Sequence, residues 1–146
     1  MRAILRVSII LILLFNGVMA FEYKDVKKFS LKKDEFKQIL VKYMGYKRLF
    51  KFRWTLYTNE GLVIHRSYDK DVAQNILYLN NRNQSFKLFL KSKGADYYEV
   101  PYFLVKFKEF DFKKNEAIFE IFLSDKRNQL EIRYLKNDNK TKTEDM

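Results

Sequence analysis

The sequence predicts an α+β fold: one N-terminal amphipathic helix packed on a curved antiparallel β-sheet meander of six to seven strands, with a small β-barrel as the alternative closure. Three observations predict it. Within Lys47–Thr58, Phe50, Phe52, Trp54 and Leu56 recur at a strict period of two opposite Lys51, Arg53, Thr55 and Tyr57, the pattern of a strand with one buried face. Phe36, Ile39, Leu40 and Tyr43 recur instead at helical spacing. From Leu62 onward, short alternating runs are separated by turns rich in Asn, Asp and Gly, the pattern of consecutive hairpins.

Taken in order, Met1–Ala20 reads as a secretory signal peptide. Arg2 and Arg6 form a basic start, Val7 to Phe15 is apolar apart from Ser8, and Val18-Met19-Ala20 offers a cleavage site. The apolar core from Ile4 to Phe15 is well short of the ~20 residues a membrane-spanning helix needs, so no transmembrane helix is expected after cleavage. Residues 21–136 form the expected single helix-plus-antiparallel-sheet domain, and residues 137–146, apolar only at the terminal Met, form a disordered polar tail.

The helix is expected over residues 31–44, with Ser30 as N-cap, Asp34 and Glu35 near its start and Gly45 as its stop. The central strand follows. Asn59-Glu60-Gly61 reads as a three-residue hairpin loop with Gly at the positive-φ position, returning through Leu62–Tyr68. Residues 72–79 fit either period and are assigned to a strand. Asn80-Asn81-Arg82-Asn83-Gln84 is a polar turn in a chain with only 4 Gly, where Asn takes over left-handed positions. Ser85–Ser92 alternates again, and a long strand runs from about Tyr98 to Phe112. Its parity switches from Phe103, Val105, Phe107 to Phe110, Phe112, which predicts a β-bulge or sharp bend at Lys108-Glu109. Pro101 places the start of that strand at an edge or ahead of pairing. Ala117–Leu123 and Leu130–Leu135 complete the set.

Composition narrows the chemistry. With 47% hydrophobic and 17% aromatic residues the 146-residue chain has ample material for one core. It has no Cys, so disulfides and a lipid-modified cysteine are excluded. His65 is the only histidine, so clusters of several histidines around a metal are excluded too. Asp69 and Asp71 lack the further ligands and glycine of a calcium loop and read as turn caps, while Glu109 and Asp111 read as a salt-bridged rim beside Lys106, Lys108 and Lys113. No nucleophile elbow or Gly-rich phosphate loop occurs. No metal or cofactor site and no catalytic constellation is therefore expected.

The formal net charge is +11, and removing Arg2 and Arg6 leaves the remainder basic. Such a charge attracts anionic surfaces, although a Lys-, Asn- and Tyr-rich composition also follows from AT-rich codons. The candidate binding set is Lys51, Arg53 and Tyr57 on the outer side of the central strand, with Lys87, Phe89, Lys91, Tyr102 and Lys106 at outward positions elsewhere. If their strands are neighbours, these residues make one basic face with interleaved aromatics. The expectation is an exported, non-enzymatic binding or accessory protein of a Gram-negative-type periplasm, meeting an anionic membrane surface, lipopolysaccharide or a periplasmic protein, with no nucleic acid partner. Two alternatives stand beside it: a carrier holding a small apolar ligand in a β-rich cavity, and a small secreted hydrolase using His65.

Overall fold

Period-two alternation extends further along the chain than the hairpin runs suggested. In the computed structural model, which describes residues 23–90 and 100–136, the regular elements are all strands. They are β1 (Asp25–Lys32), β2 (Lys37–Tyr43), β3 (Tyr46–Thr58), β4 (Gly61–Tyr68), β5 (Asp71–Tyr78), β6 (Ser85–Phe89), β7 (Tyr102–Asp111), β8 (Glu116–Ser124) and β9 (Leu130–Tyr134). They make two antiparallel sheets, a four-stranded one in the order β1-β8-β7-β6 and a five-stranded one in the order β5-β4-β3-β2-β9. The expected signal peptide and polar tail lie outside the described residues.

The expected α+β architecture is thus replaced by an all-β, two-sheet sandwich, and no helix occurs among the described residues. The segment read as a helix is the end of β1, a tight turn and all of β2. Asp34 adopts φ +64°, Glu35 N–H bonds the Lys32 carbonyl at 3.1 Å, and the Glu35 carboxylate accepts from Lys32 N–H at 2.8 Å. Beyond this turn Ile39, Val41 and Tyr43 point inward, while Leu40 sits on the outer face against Leu49. The helical template had used Phe36 and Leu40 and passed over Val41. What decides the conformation is tertiary: as a strand the segment hydrogen-bonds to β3 on one side and to β9 on the other, satisfying backbone that a helix would leave bare on β3. The barrel alternative also fails, because no ladder joins β5 to β6 or β9 to β1.

The core is the space between the two sheets, which stacked sheets hold at about 10 Å. Phe50 and Phe52 of β3, as expected, are fully buried there. Phe50 stacks on Phe103 of β7 at 5.7 Å, and Phe52 meets Phe119 of β8 edge-on at 5.6 Å and Phe29 of β1 at 5.9 Å. Such ring pairs add about 0.5–1.5 kcal/mol each to the burial of their surfaces. Trp54 also joins the layers: its indole N–H donates to the Leu31 carbonyl of β1 at 2.8 Å, and its own carbonyl accepts from Asp34 N–H at 2.9 Å.

Two bulges shape one end of the sandwich. The one expected near Lys108-Glu109 is present, with the β7–β8 register shifting between Phe107 and Glu109. A second, unexpected, falls in β3, where the register with β4 shifts between Trp54 and Leu56. Its consequence is a reversal of parity, so that Leu56 turns outward at 50% exposure and Tyr57 turns inward. Leu56 therefore does not belong to the core face as expected. The bulges meet across the core, where Trp54 lies edge-on to Phe110 at 5.6 Å and Tyr57 stacks flat on Phe110 at 4.2 Å.

The turns follow the same economy of glycine. Met44-Gly45 and Asn59-Glu60 are two-residue hairpin turns with positive φ at both positions, the type I′ signature. Gly61 is thus not the left-handed loop residue expected of it; it is the first residue of β4. Glycine fits closely there: a Cβ would come within 2.9 Å of the Tyr78 ring, which would have to move aside. Asn80, Asn115 and Asn128 take the left-handed positions elsewhere, as the composition implied. Pro101 immediately precedes β7, and its carbonyl accepts from Leu90 N–H at 2.9 Å.

Candidate binding faces

Antiparallel pairing puts alternate residues of each strand on the outer faces, and the register states which of them are neighbours. On the four-stranded sheet, Phe89 of β6 pairs with Tyr102 of β7, their rings 5.7 Å apart, and Tyr102 pairs with Ser124 of β8. One step along, Lys87 pairs with Leu104, Leu104 with Phe122, and Phe122 with Val26 of β1. The Lys87 ammonium lies over the Tyr102 ring at 4.9 Å. Tyr23 closes the group from beyond the end of β1, its ring 5.0 Å from Phe122. Burial raises the Tyr23 phenol above its ordinary pKa, and the adjacent Tyr102 hydroxyl raises it further.

The next row carries Lys28, Glu120, Lys106 and Ser85 in register, and Lys108 reaches Glu120 at 3.4 Å. The far end of this face carries Glu109, Asp111 and Glu116, with Lys32 paired to Glu116. Asp111 is held as a turn cap, its carboxylate accepting from Lys113 and Lys114 N–H at 3.0 and 3.1 Å. The aromatic residues are thus gathered at one end of the face beside Lys87, and the remainder is of mixed charge.

Lys51 and Arg53 are also outward, but on the five-stranded sheet. Both stand over the exposed Phe36 ring, at 6.0 and 5.0 Å, and Arg53 reaches Asp34 at 3.6 Å. His65 of β4 lies beside Arg53 and is flanked on its other side by Gln74 of β5. The expected single set is thus divided. Lys87, Phe89, Tyr102 and Lys106 come together on one face, while Lys51 and Arg53 lie on the opposite side of the sandwich. Tyr57 turns to the inner side against Phe110 and Phe107, half-buried and apart from both of these groups. Lys91 lies outside the described residues.

Sequence reasoning missed Tyr23, Val26, Leu104 and Phe122, which complete the aromatic end. The signal was in the apolar residues on the minority face of β8, where Phe122 alternates with the core row Phe119, Ile121 and Leu123. It also missed how the two open seams of the sandwich are filled. At the β5/β6 seam Arg66 points inward, bonded to the Asn75 side-chain oxygen at 2.8 Å and lying over the Phe86 ring at 5.2 Å. Desolvation lowers its pKa. At the β1/β9 seam Lys27 and Lys37 both approach the Tyr134 ring, at 4.7 and 5.8 Å, and the Tyr134 hydroxyl donates to Asp25 at 3.1 Å. Burial, with Lys27 nearby, lowers the Lys37 pKa. In each seam an aliphatic stem covers apolar surface while its cation sits on an aromatic face.

Asp125 is the one buried charged side chain among the described residues, and it is structural. Its carboxylate accepts from Gln129 and Leu130 N–H at 3.0 Å each and pairs with Lys24 at 3.1 Å, holding the β8–β9 turn. Among the described residues no helix is long and apolar enough to cross a membrane, and no group of three or more His, Cys, Asp or Glu is placed to hold a metal ion. Comparison with protein-family models, with curated proteins and with solved structures finds no match to this chain.

Proposed function

We propose that this protein is an exported, non-enzymatic binding protein of the cell envelope that docks the outer face of its four-stranded sheet onto an anionic lipid surface. The observation that carries the reading is the contiguous cluster of Tyr23, Phe89, Tyr102 and Phe122 beside Lys87 and Lys106. Aromatic rings with polar tips suit the boundary between acyl chains and headgroups, and lysines beside them meet phosphate. Export rests on the character of residues 1–20, and the charge of +9 that remains of +11 without Arg2 and Arg6 adds long-range attraction to any such surface. The stacked rings between the sheets favour a surface site over an interior carrier cavity, since Phe50, Phe52, Phe103 and Phe119 occupy the middle of the core.

Flotation with vesicles containing phosphatidylglycerol tests the reading. Binding is expected at low salt and is expected to weaken as salt rises. The double variant Lys87→Ala/Lys106→Ala is expected to bind about 30-fold more weakly, from about 1 kcal/mol per lysine near a charged surface. Replacing Lys51 and Arg53 by Ala is expected to leave binding nearly unchanged, because they face the other way. No association even at low salt overturns the proposal, as does equal loss from both double variants.

A further inference from the structure

We propose that β5 is a self-association edge, through which two copies of the chain pair β5 with β5 antiparallel about a twofold axis at Gln74. The inference is independent of the lipid-binding face, which lies on the other sheet.

The backbone parity comes first. β5 ends the five-stranded sheet and has β4 on one side only. Tyr68 and Asp71 close a two-residue turn, and the closing pair of such a hairpin is hydrogen-bonded. Alternation from there directs the N–H and C=O groups of Val72, Gln74, Ile76 and Tyr78 away from β4. Tyr78 obeys this parity, since its N–H is taken by the Asn83 carbonyl at 3.1 Å on that side. Among the described residues, Val72, Gln74 and Ile76 are left as a row of donors and acceptors on the free edge.

The side chains come second. Edge strands are usually guarded by charge, by Pro or by a covering segment. The other three edges carry charge: Lys27, Lys28 and Lys32 on β1, Lys87 on β6, Glu131 and Arg133 on β9. β5 has no charged residue and no Pro from Val72 to Tyr78. It also exposes Val72 at 79% and Ile76 at 44%, next to Leu56 at 50% on the same outer face.

A second copy of this strand fits that edge better than a generic peptide, because the segment is self-complementary. With Gln74 opposite Gln74 of the other copy, Val72 falls opposite Ile76, and Ile76 opposite Val72. The same register makes all three of these pairs hydrogen-bonded ones, about six inter-chain bonds in total. The apolar strip Leu56, Val63, Ile76 then continues across the seam. An open groove of about 450 Å³ between the Gln74–Tyr78 stretch and Asn83 and Ser85 leaves room for the Asp71 end of the second strand. Two copies of a basic chain repel, and a neutral edge is where that repulsion costs least.

The full chain offers a direct test because it has no cysteine. A hydrogen-bonded antiparallel pair holds its Cα atoms about 5.5 Å apart, within disulfide range. Gln74→Cys is therefore expected to form a covalent dimer under mild oxidation at least tenfold faster than Lys28→Cys, a control on the other sheet. In sedimentation equilibrium the wild type is expected to move from monomer to dimer with rising concentration. Gln74→Pro removes an N–H that points off the edge, and Ile76→Lys adds a guard; both are expected to stay monomeric while unfolding cooperatively like the wild type. A wild type that is monomeric up to millimolar concentration overturns the inference. Equal cross-linking of the two cysteine variants overturns it, and so does dimerisation of Gln74→Pro and Ile76→Lys at wild-type strength.

Discussion

At the scale of single residues, the side chains that hold this sandwich together do so through their polar ends as much as through their rings. Trp54 is 2% exposed, and its indole N–H meets a carbonyl of the other sheet. Trp54→Phe keeps an aromatic ring but leaves the Leu31 carbonyl without that donor and opens a void. We expect a loss of about 2–4 kcal/mol in urea unfolding, where an exposed aromatic such as Phe36 would cost far less. Tyrosines give the residue scale a pH dependence. Burial, then the Asp25 carboxylate, raises the Tyr134 phenol well above the ordinary 10.0, and burial raises Tyr23, Tyr57 and Tyr68 as well. A phenol whose pKa is raised by folding keeps its proton in the native state while the unfolded chain releases it. Its contribution is therefore complete below pH 10 and is lost as pH climbs through the folded value. Lys37 works in the opposite sense, because its pKa is lowered and stability rises with pH up to its ordinary 10.5. Tyr134 carries the largest of these shifts, with Lys37 and Arg66 opposing it, so stability is expected to fall above pH 10. Tyr134→Phe, about 1 kcal/mol less stable at pH 7 through loss of the Asp25 bond, is expected to show a shallower fall, and its deficit should shrink between pH 10 and 11.

At the scale of elements, the hairpin β3–β4 shows what local chemistry the fold tolerates. Its turn, Asn59-Glu60, places a glutamate at φ +63°, a conformation that costs a non-glycine residue about 1–2 kcal/mol. Glu60→Gly gives Asn-Gly, the preferred type I′ pair, and is expected to raise stability by about 1 kcal/mol in thermal or urea unfolding. An unchanged or lower stability would mean that Glu60 makes a compensating interaction. Elements were legible where one alternation was unambiguous. In β7 the charged pair Lys108-Glu109 separates Phe107 from Phe110, so the extra residue announces itself. In β3 Leu56 and Tyr57 are both apolar, either parity reads as sensible, and the bulge that exchanges them was hidden. β2 was misread for a related reason: Ile39, Leu40 and Tyr43 satisfy a helical stripe while Ile39, Val41 and Tyr43 satisfy a strand, and the choice is made by β3 and β9, which lie far from it in sequence. Period two also tells which side a residue takes without telling which sheet it belongs to. Lys51, Arg53, Lys87, Phe89, Tyr102 and Lys106 all read correctly as outward, yet the partition into two sheets, fixed by long-range pairing, set them back to back.

At the scale of the whole molecule, the two proposals together make a prediction that neither makes alone. Pairing β5 with β5 about a twofold keeps the outer faces of the two five-stranded sheets on one side of the joined sheet, and the two aromatic-basic faces on the other. Coplanar faces would give a dimer bivalent avidity for a single bilayer. Sheet twist opposes this. Adjacent strands rotate by roughly 20°, and five steps separate β3 of one copy from β3 of the other. The two aromatic-basic faces are then turned by about 100° from one another, too far for both to lie on one flat surface. The dimer is therefore expected to gain little affinity for one vesicle and instead to bridge two. In a turbidity assay with phosphatidylglycerol vesicles, the wild type should aggregate the vesicles. Gln74→Pro should float with them at nearly wild-type affinity yet leave them dispersed, and Lys87→Ala/Lys106→Ala should remain dimeric but bind about 30-fold more weakly and aggregate them only at correspondingly higher concentration. Bridging by Gln74→Pro, or tight binding by the wild type without any bridging, would separate the edge from the face and show that the two do not act through this geometry.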